Sequence, residues 1–126
     1  DENPVYYLQY AHARICNILK HARETGSDSR DEADLSLIQK EAEMSLMKTL
    51  IRWPEVMITA HESLEPQTIA NYLQSLATDF HRFYTEHRVV TNDQELTKAR
   101  LFLVSAVRIV LARGLEVLGI SHPEKM

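Results

Sequence analysis

Apolar residues recur at three- and four-residue steps along most of the chain, and the breaks in that rhythm fall at Pro, Gly and Asn/Asp positions, which predicts helices separated by short connections. Asn3-Pro4 pairs a capping side chain with a proline suited to a first turn, so a first helix is expected from there to about Glu24. Thr25 to Asp34, TGSDSRDEAD, has little to bury and is expected to be a surface loop. A second helical segment is predicted from about Leu35 to Arg52, with Leu35, Ile38, Ala42, Leu46, Thr49 and Leu50 on its apolar stripe. Trp53-Pro54 ends it, with Trp53 expected to wedge into the break, and Pro54 opens a short helix to about Glu62. A further helix from Pro66 to near Val90 carries Ile69, Leu73, Leu76, Phe80 and Phe83 on one side. Asn92-Asp93 then caps a last helix, from about Gln94 to Leu118, which Gly119 and Pro123 stop.

That last segment has apolar residues on nearly every side, including Leu101, Phe102, Leu103, Val107, Ile109 and Leu115, so it is expected at the centre of a bundle. No stretch alternates with a period of two, and there is no internal repeat or linker. The fold class expected is an all-α bundle of about five helices, forming one domain over residues 1–126. Only 3 Gly and 4 Pro among 126 residues agree with a helical fold, and this length buries a core without disulfides or metal.

The first helix has two faces. At 100° per residue Val5, Leu8, His12, Ile15 and Leu19 fall within about 80° of one another, an ordinary core stripe. Tyr7, Tyr10, Arg14, Asn17 and His21 cluster roughly 150° away from it. Tyr6 falls between the two. The second face could pack on another helix or on a further domain. It is equally the surface expected of a protein that stacks unpaired bases on rings and holds their phosphates with a guanidinium.

A formal charge of −4 gives no general electrostatic reason to bind DNA or RNA, so any nucleic-acid contact has to be local. The single cysteine, Cys16, forms no internal disulfide, and no apolar run approaches the roughly 20 residues of a membrane helix, so a reducing, cytoplasmic setting without membrane is expected. The sequence starts at Asp1 with no basic-then-apolar leader, which suggests a piece of a longer polypeptide with no signal peptide to remove. Metal-site spacing is lacking: His81 and His87, and His12 and His21, are not i, i+4 pairs. Cys16 has no sequence-adjacent partner that would make it a nucleophile and is expected as a small buried hydrophobe. Glu41, Glu43 and Glu55 are expected on solvated helix faces rather than as an acid/base pair.

The segment NPVYYLQYAHARICNIL resembles the start of the C-terminal, DALR-type anticodon-binding domain of arginyl-tRNA synthetases, a class I family with a Tyr-x-Gln-Tyr-Ala-His-Ala/Ser-Arg block at this place. LARGLEVLGISHPEKM resembles the family's terminus, except that Lys125 stands where arginine is common. DFHRFYTEHRV, residues 79–89, resembles an internal aromatic segment, and ARLFLVSAVRIVLARGL, from residue 99, the last long helix. The resemblance runs the full length, in order.

It implies an all-α domain that holds the anticodon arm of arginine tRNA. The rest of such a polypeptide is a catalytic domain that uses ATP with Mg to join arginine to that tRNA, and the whole enzyme is expected to be monomeric. The chain itself contains no His-x-Gly-His motif, no catalytic lysine loop and no glycine-rich phosphate loop, so no catalytic residue and no cofactor are assigned to it. By position in the family's motifs, Tyr7, Tyr10, Arg14, Tyr84, Arg88 and Met126 are the implied anticodon-loop contacts. Arg88 stands where some members carry tryptophan, and only the side chain of Met126 suits RNA, since its carboxylate repels phosphate. Asn17, His21, His81 and Lys125 join the set because they share faces with these residues. A freestanding helical module that docks a protein helix with the same face is the alternative.

Overall fold

A computed structural model describes residues 3–126, which form five α-helices: α1 (Pro4–Glu24), α2 (Glu41–Leu50), α3 (Trp53–Ser63), α4 (Pro66–Glu86) and α5 (Gln94–Val117). The described residues contain no strand. The predicted caps are in place. Asn3 Oδ1 accepts from the amides of Val5 and Tyr6 at 3.0 and 3.3 Å, and Asp93 Oδ1 accepts from Glu95 and Leu96, each at 3.1 Å, which satisfies donors that a helix start leaves unpaired. After α5, Gly119 adopts φ 73° while Gly119 N and Ile120 N donate back to Glu116 O and Leu115 O at 2.9 and 2.8 Å, a left-handed stop that glycine accepts without strain.

Two segments differ from what periodicity alone predicts, one starting later and one ending earlier. Leu35–Leu37 is a 3-10 turn capped by Asp34, and the chain is extended at Ile38 and Lys40 before α2 begins. Buried Ile38 pins this stretch, and Glu43 Oε1 accepts from Lys40 N at 3.0 Å, which starts a new helix there. Likewise α4 stops at Glu86 rather than near Val90; His87 is extended at φ −139° and ψ 152°, and Val89 turns inward and is buried.

α2, α1 and α3 pack along α4, while α5 lies against α1, α4, α2 and the 3-10 turn. Leu73, Leu76, Phe80 and Phe83 of α4 are fully buried between them, as their stripe predicts. Trp53 does act as a wedge, its ring 5.7 Å from that of Tyr72, whose hydroxyl donates to Thr49 O at 2.7 Å across the α2–α3 break. α5 is central but not enclosed, since Phe102 and Ile109 are about half exposed, at 46% and 49%. On α1, Leu8, His12, Ile15 and Leu19 are buried as expected, whereas Val5, in the first turn, is 36% exposed. Among the described residues no helix is long and apolar enough to cross a membrane.

Gly114 marks the tightest approach of α5 to α4. A Cβ there would stand 2.7 Å from both Leu73 Cδ atoms and 3.0 Å from Cγ, and Leu73 has no exposed surface into which to retreat. Alanine gains about 1 kcal/mol of helix preference over glycine, but overpacking a core typically costs about 1–3 kcal/mol. Gly114→Ala is therefore expected to lower stability by up to about 2 kcal/mol in urea unfolding. A raised midpoint would mean that Leu73 repacks freely.

Candidate nucleic-acid interface

α1 and α4 lie side by side, so residues one turn apart on each meet across a single seam. Tyr7, Tyr10 and Arg14 come from α1, and His81 and Tyr84 from α4. The Arg14 guanidinium carbon sits 4.8 Å from the Tyr10 ring centre and 4.7 Å from that of Tyr84, held between two rings as a planar cation can be. Arg14 Nη2 also donates to the Tyr10 hydroxyl, while Arg14 Nε finds no hydrogen-bond partner among the described residues.

Around this pair the rings form a row. Tyr6 and Tyr10 are nearly parallel, 10° apart with centres at 6.4 Å, and His81 continues the row 6.0 Å beyond Tyr10 at 21°. Tyr7 packs on His81 at 5.0 Å, and Phe80 supports both His81 and Tyr84, at 5.4 and 5.9 Å. Tyr10 and Tyr84 are each 37% exposed and Tyr6 54%, whereas Tyr7 is half-buried against the core. Tyr6, which the projection left between faces, thus belongs to the exposed row.

Next to Tyr84 an open groove of about 710 Å³ runs between α1 and the connection after α4. Asn17, Lys20, His21 and Glu24 line it on one side, and Tyr84, His87, Arg88, Val89 and Val90 on the other. Two permanent cations and two imidazoles against one carboxylate give this groove a local positive balance within an acidic chain, which suits a phosphodiester backbone. The sequence reading missed Lys20 and His87. Lys20 stands beside His21 and one turn after Asn17, a signal that was available; His87 becomes a wall residue only because α4 stops at Glu86.

The structure therefore joins Tyr7, Tyr10, Arg14, His81 and Tyr84 in one cluster and sets Asn17, His21 and Arg88 along the adjoining groove. Lys125 and Met126 are exposed at the end of a tail that follows a different side of α1. Gln9 Nε2 donates to Ser121 O at 3.0 Å, and His12 Nδ1–H donates to Pro123 O at 3.0 Å. His122 stands edge-on to His12 with ring centres at 5.2 Å and meets Glu116 at 2.9 Å. Cys16 lies half-buried beside His12, Sγ at 3.9 Å, and burial pushes its thiol up, which keeps it protonated and unreactive. No group of three or more His, Cys, Asp or Glu among the described residues is arranged to hold a metal ion.

Burial lowers the pKa of His12, helped by His122 and Arg108, and burial with the Arg14 charge lowers that of His81. His81 is thus neutral at pH 7 and serves as an aromatic support for the tyrosines rather than as a cation. Above the ordinary value of 6.5 both folded and unfolded chains leave these rings neutral. Below it the unfolded chain takes up protons that the folded chain resists, so stability is lost as pH falls from about 6.5 towards the folded values. Urea midpoints are expected to drop between pH 7 and 5, and His12→Gln is expected to flatten that drop; an unchanged profile in the variant would remove His12 from the account.

The fold and this seam define an all-helical bundle whose first and fourth helices display a row of rings around one guanidinium. The chain belongs to the DALR anticodon-binding domain family, whose model matches residues 8–126. It is 49% identical over 127 residues to an arginine–tRNA ligase of Symbiobacterium thermophilum, covering 99% of this chain and 23% of that protein. An arginine–tRNA ligase of Polynucleobacter necessarius is 52% identical over 126 residues, covering 100% of this chain and 22% of that protein. A crystal structure described as an arginyl-tRNA synthetase from Campylobacter jejuni superposes with a TM-score of 0.81 at 32% identity, covering 98% of this chain and 27% of that one. The chain thus spans only about a quarter of the length of these relatives.

Proposed function

We propose that this chain is the part of an arginine–tRNA ligase that grips the anticodon arm of arginine tRNA. The observation that carries the reading is the Arg14 guanidinium held between Tyr10 and Tyr84, with both rings partly open to solvent. Bases turned out of an anticodon loop can stack on such rings, and the cationic groove beside Tyr84 can follow the attached phosphates. Stacking matters more than usual here, because a chain of formal charge −4 has little long-range attraction for RNA. Membership of an anticodon-binding family and the shared identity with ligases supply the RNA class.

In this reading a catalytic domain in the same polypeptide, acting as a monomer in the cytoplasm, activates arginine with ATP and Mg. The residues of this chain contribute binding and orientation of the tRNA, and the chain alone is inactive. Met126 and Lys125 reach the loop only if the tail that follows α1 extends past the ring row when RNA is bound.

Titration of labelled arginine tRNA, and of the same tRNA with its anticodon-loop bases exchanged, against the 126-residue chain tests this. Binding that weakens with salt and with base exchange is expected. Equal binding of both RNAs would overturn anticodon recognition, and absence of RNA binding together with capture of an amphipathic peptide on the Tyr10 face would favour a protein-docking module.

A further inference from the structure

One buried ion pair lies outside the interface yet ends at its wall. Glu43 of α2 is fully buried, and its Oε2 meets Arg100 Nε of α5 at 2.6 Å. Its other oxygen accepts from Lys40 N, so both carboxylate oxygens are used. Arg100, itself 5% exposed, extends past this pair, and its Nη1 donates to the backbone carbonyl of Arg88 at 2.6 Å. Arg88 lines the groove, and Val89 beside it is buried at 4% exposure.

An isolated buried ion pair is weak evidence for stability, because apolar residues of similar size often fill the same space as well or better. What apolar residues cannot do is hold a carbonyl. With α4 finished at Glu86, the Arg88 carbonyl has left the helical ladder, and a buried or half-buried backbone acceptor needs a partner. The planar fork of Arg100 supplies one donor to Glu43 and another to Arg88, fixing their separation as a single rigid unit.

We infer that Glu43 and Arg100 are positioning residues for RNA binding: through the Arg88 carbonyl they set the backbone from His87 to Val90 and so aim the Arg88 side chain into the groove. This rests on the reading of the groove as an RNA site. Lysine at position 100 keeps the charge but, as a point donor on a flexible stem, does not hold both acceptors in fixed geometry.

The test is a double-mutant cycle on the 126-residue chain with an arginine tRNA anticodon stem–loop as probe. Arg100→Lys is expected to weaken binding roughly 3- to 30-fold, Arg88→Ala by a similar factor, and the double variant no more than Arg88→Ala alone. A purely structural role predicts instead that Arg100→Lys weakens binding by the same factor in both backgrounds, and that result, or unchanged affinity of Arg100→Lys, overturns the inference. Amide hydrogen exchange provides the second readout. Exchange at His87–Val90 is expected to quicken in Arg100→Lys while the core amides of α1 keep their protection; unchanged exchange in that segment also overturns it. Should Arg100→Lys fold poorly, Glu43→Gln, whose single carbonyl oxygen can accept from Lys40 N or from Arg100 Nε but not from both, takes its place in the cycle. If the unsubstituted chain binds no RNA, the anticodon reading fails, and exchange at His87–Val90 alone decides whether the pair positions that segment.

Discussion

Glu43→Ala is expected to lower the unfolding free energy by about 3–5 kcal/mol, the largest stability effect of any substitution considered for this chain. The reason is less the attraction that is lost than the cation that is left behind. Arg100 is held with a side-chain exposure of 6%, and without the carboxylate at 2.6 Å its charge has only the Arg88 carbonyl and the face of Phe83, 6.0 Å away, for company. Lys40 N loses its acceptor as well, and with it the start of α2. Against a typical total stability of about 5–15 kcal/mol, this would leave the chain close to its unfolding threshold at room temperature. Replacing both partners separates charge from packing: Glu43→Leu with Arg100→Met removes the stranded cation and is expected to recover the part of the loss due to it, while Lys40 N and the Arg88 carbonyl stay without these partners. A loss below about 1 kcal/mol in Glu43→Ala, measured by urea unfolding with unchanged slope, would mean that water reaches Arg100 and that the pair is not dry.

The same pair shows where sequence reading stops. Glu43 was expected on a solvated face because glutamate in a helix usually is, and nothing near it in the chain contradicts that. Its partner is 57 residues away, and no periodic pattern encodes a pairing over that distance. The early end of α4 has the same origin: the helix pattern continues locally, but burial of Val89 and the tether on Arg88 pull the chain out of it. The two faces of α1 were legible because 100° geometry acts within one helix and needs no partner. The projection gave Tyr7 and Tyr10 equal standing. The structure separates them, since α4 lies on the Tyr7 side and His81 covers that ring, leaving Tyr10 half open and pairing it with Tyr84. Ring identity was thus readable from the chain, whereas the division between supporting and exposed rings depended on which helix came alongside.

That division sets the second large effect. Tyr10→Ala with Tyr84→Ala is expected to weaken binding of the anticodon stem–loop by about 2–6 kcal/mol, taking about 1–3 kcal/mol for each stacked base, or roughly 30-fold to more than 10⁴-fold. Stability should change little, because both rings are 37% exposed and neither hydroxyl joins a buried network. Tyr7→Ala should show the opposite balance, a clear loss of stability with a smaller loss of binding, since that ring packs on His81 rather than facing solvent. Salt separates the two parts of the interface. The double tyrosine variant keeps Lys20 and Arg88, so the slope of log affinity against log salt should stay near that of the unsubstituted chain. Lys20→Ala or Arg88→Ala should instead reduce it by about 0.7 for each single-strand phosphate released. Arg14 is the joint between the parts, a cation whose position depends on the two rings that hold it. Loss of both tyrosines should therefore lower the slope only if Arg14 itself pairs with a phosphate, and not if it serves solely to space the rings. Binding of the Tyr10→Ala, Tyr84→Ala chain within threefold of the original would exclude stacking at this face as the source of affinity and leave the groove to account for RNA recognition alone.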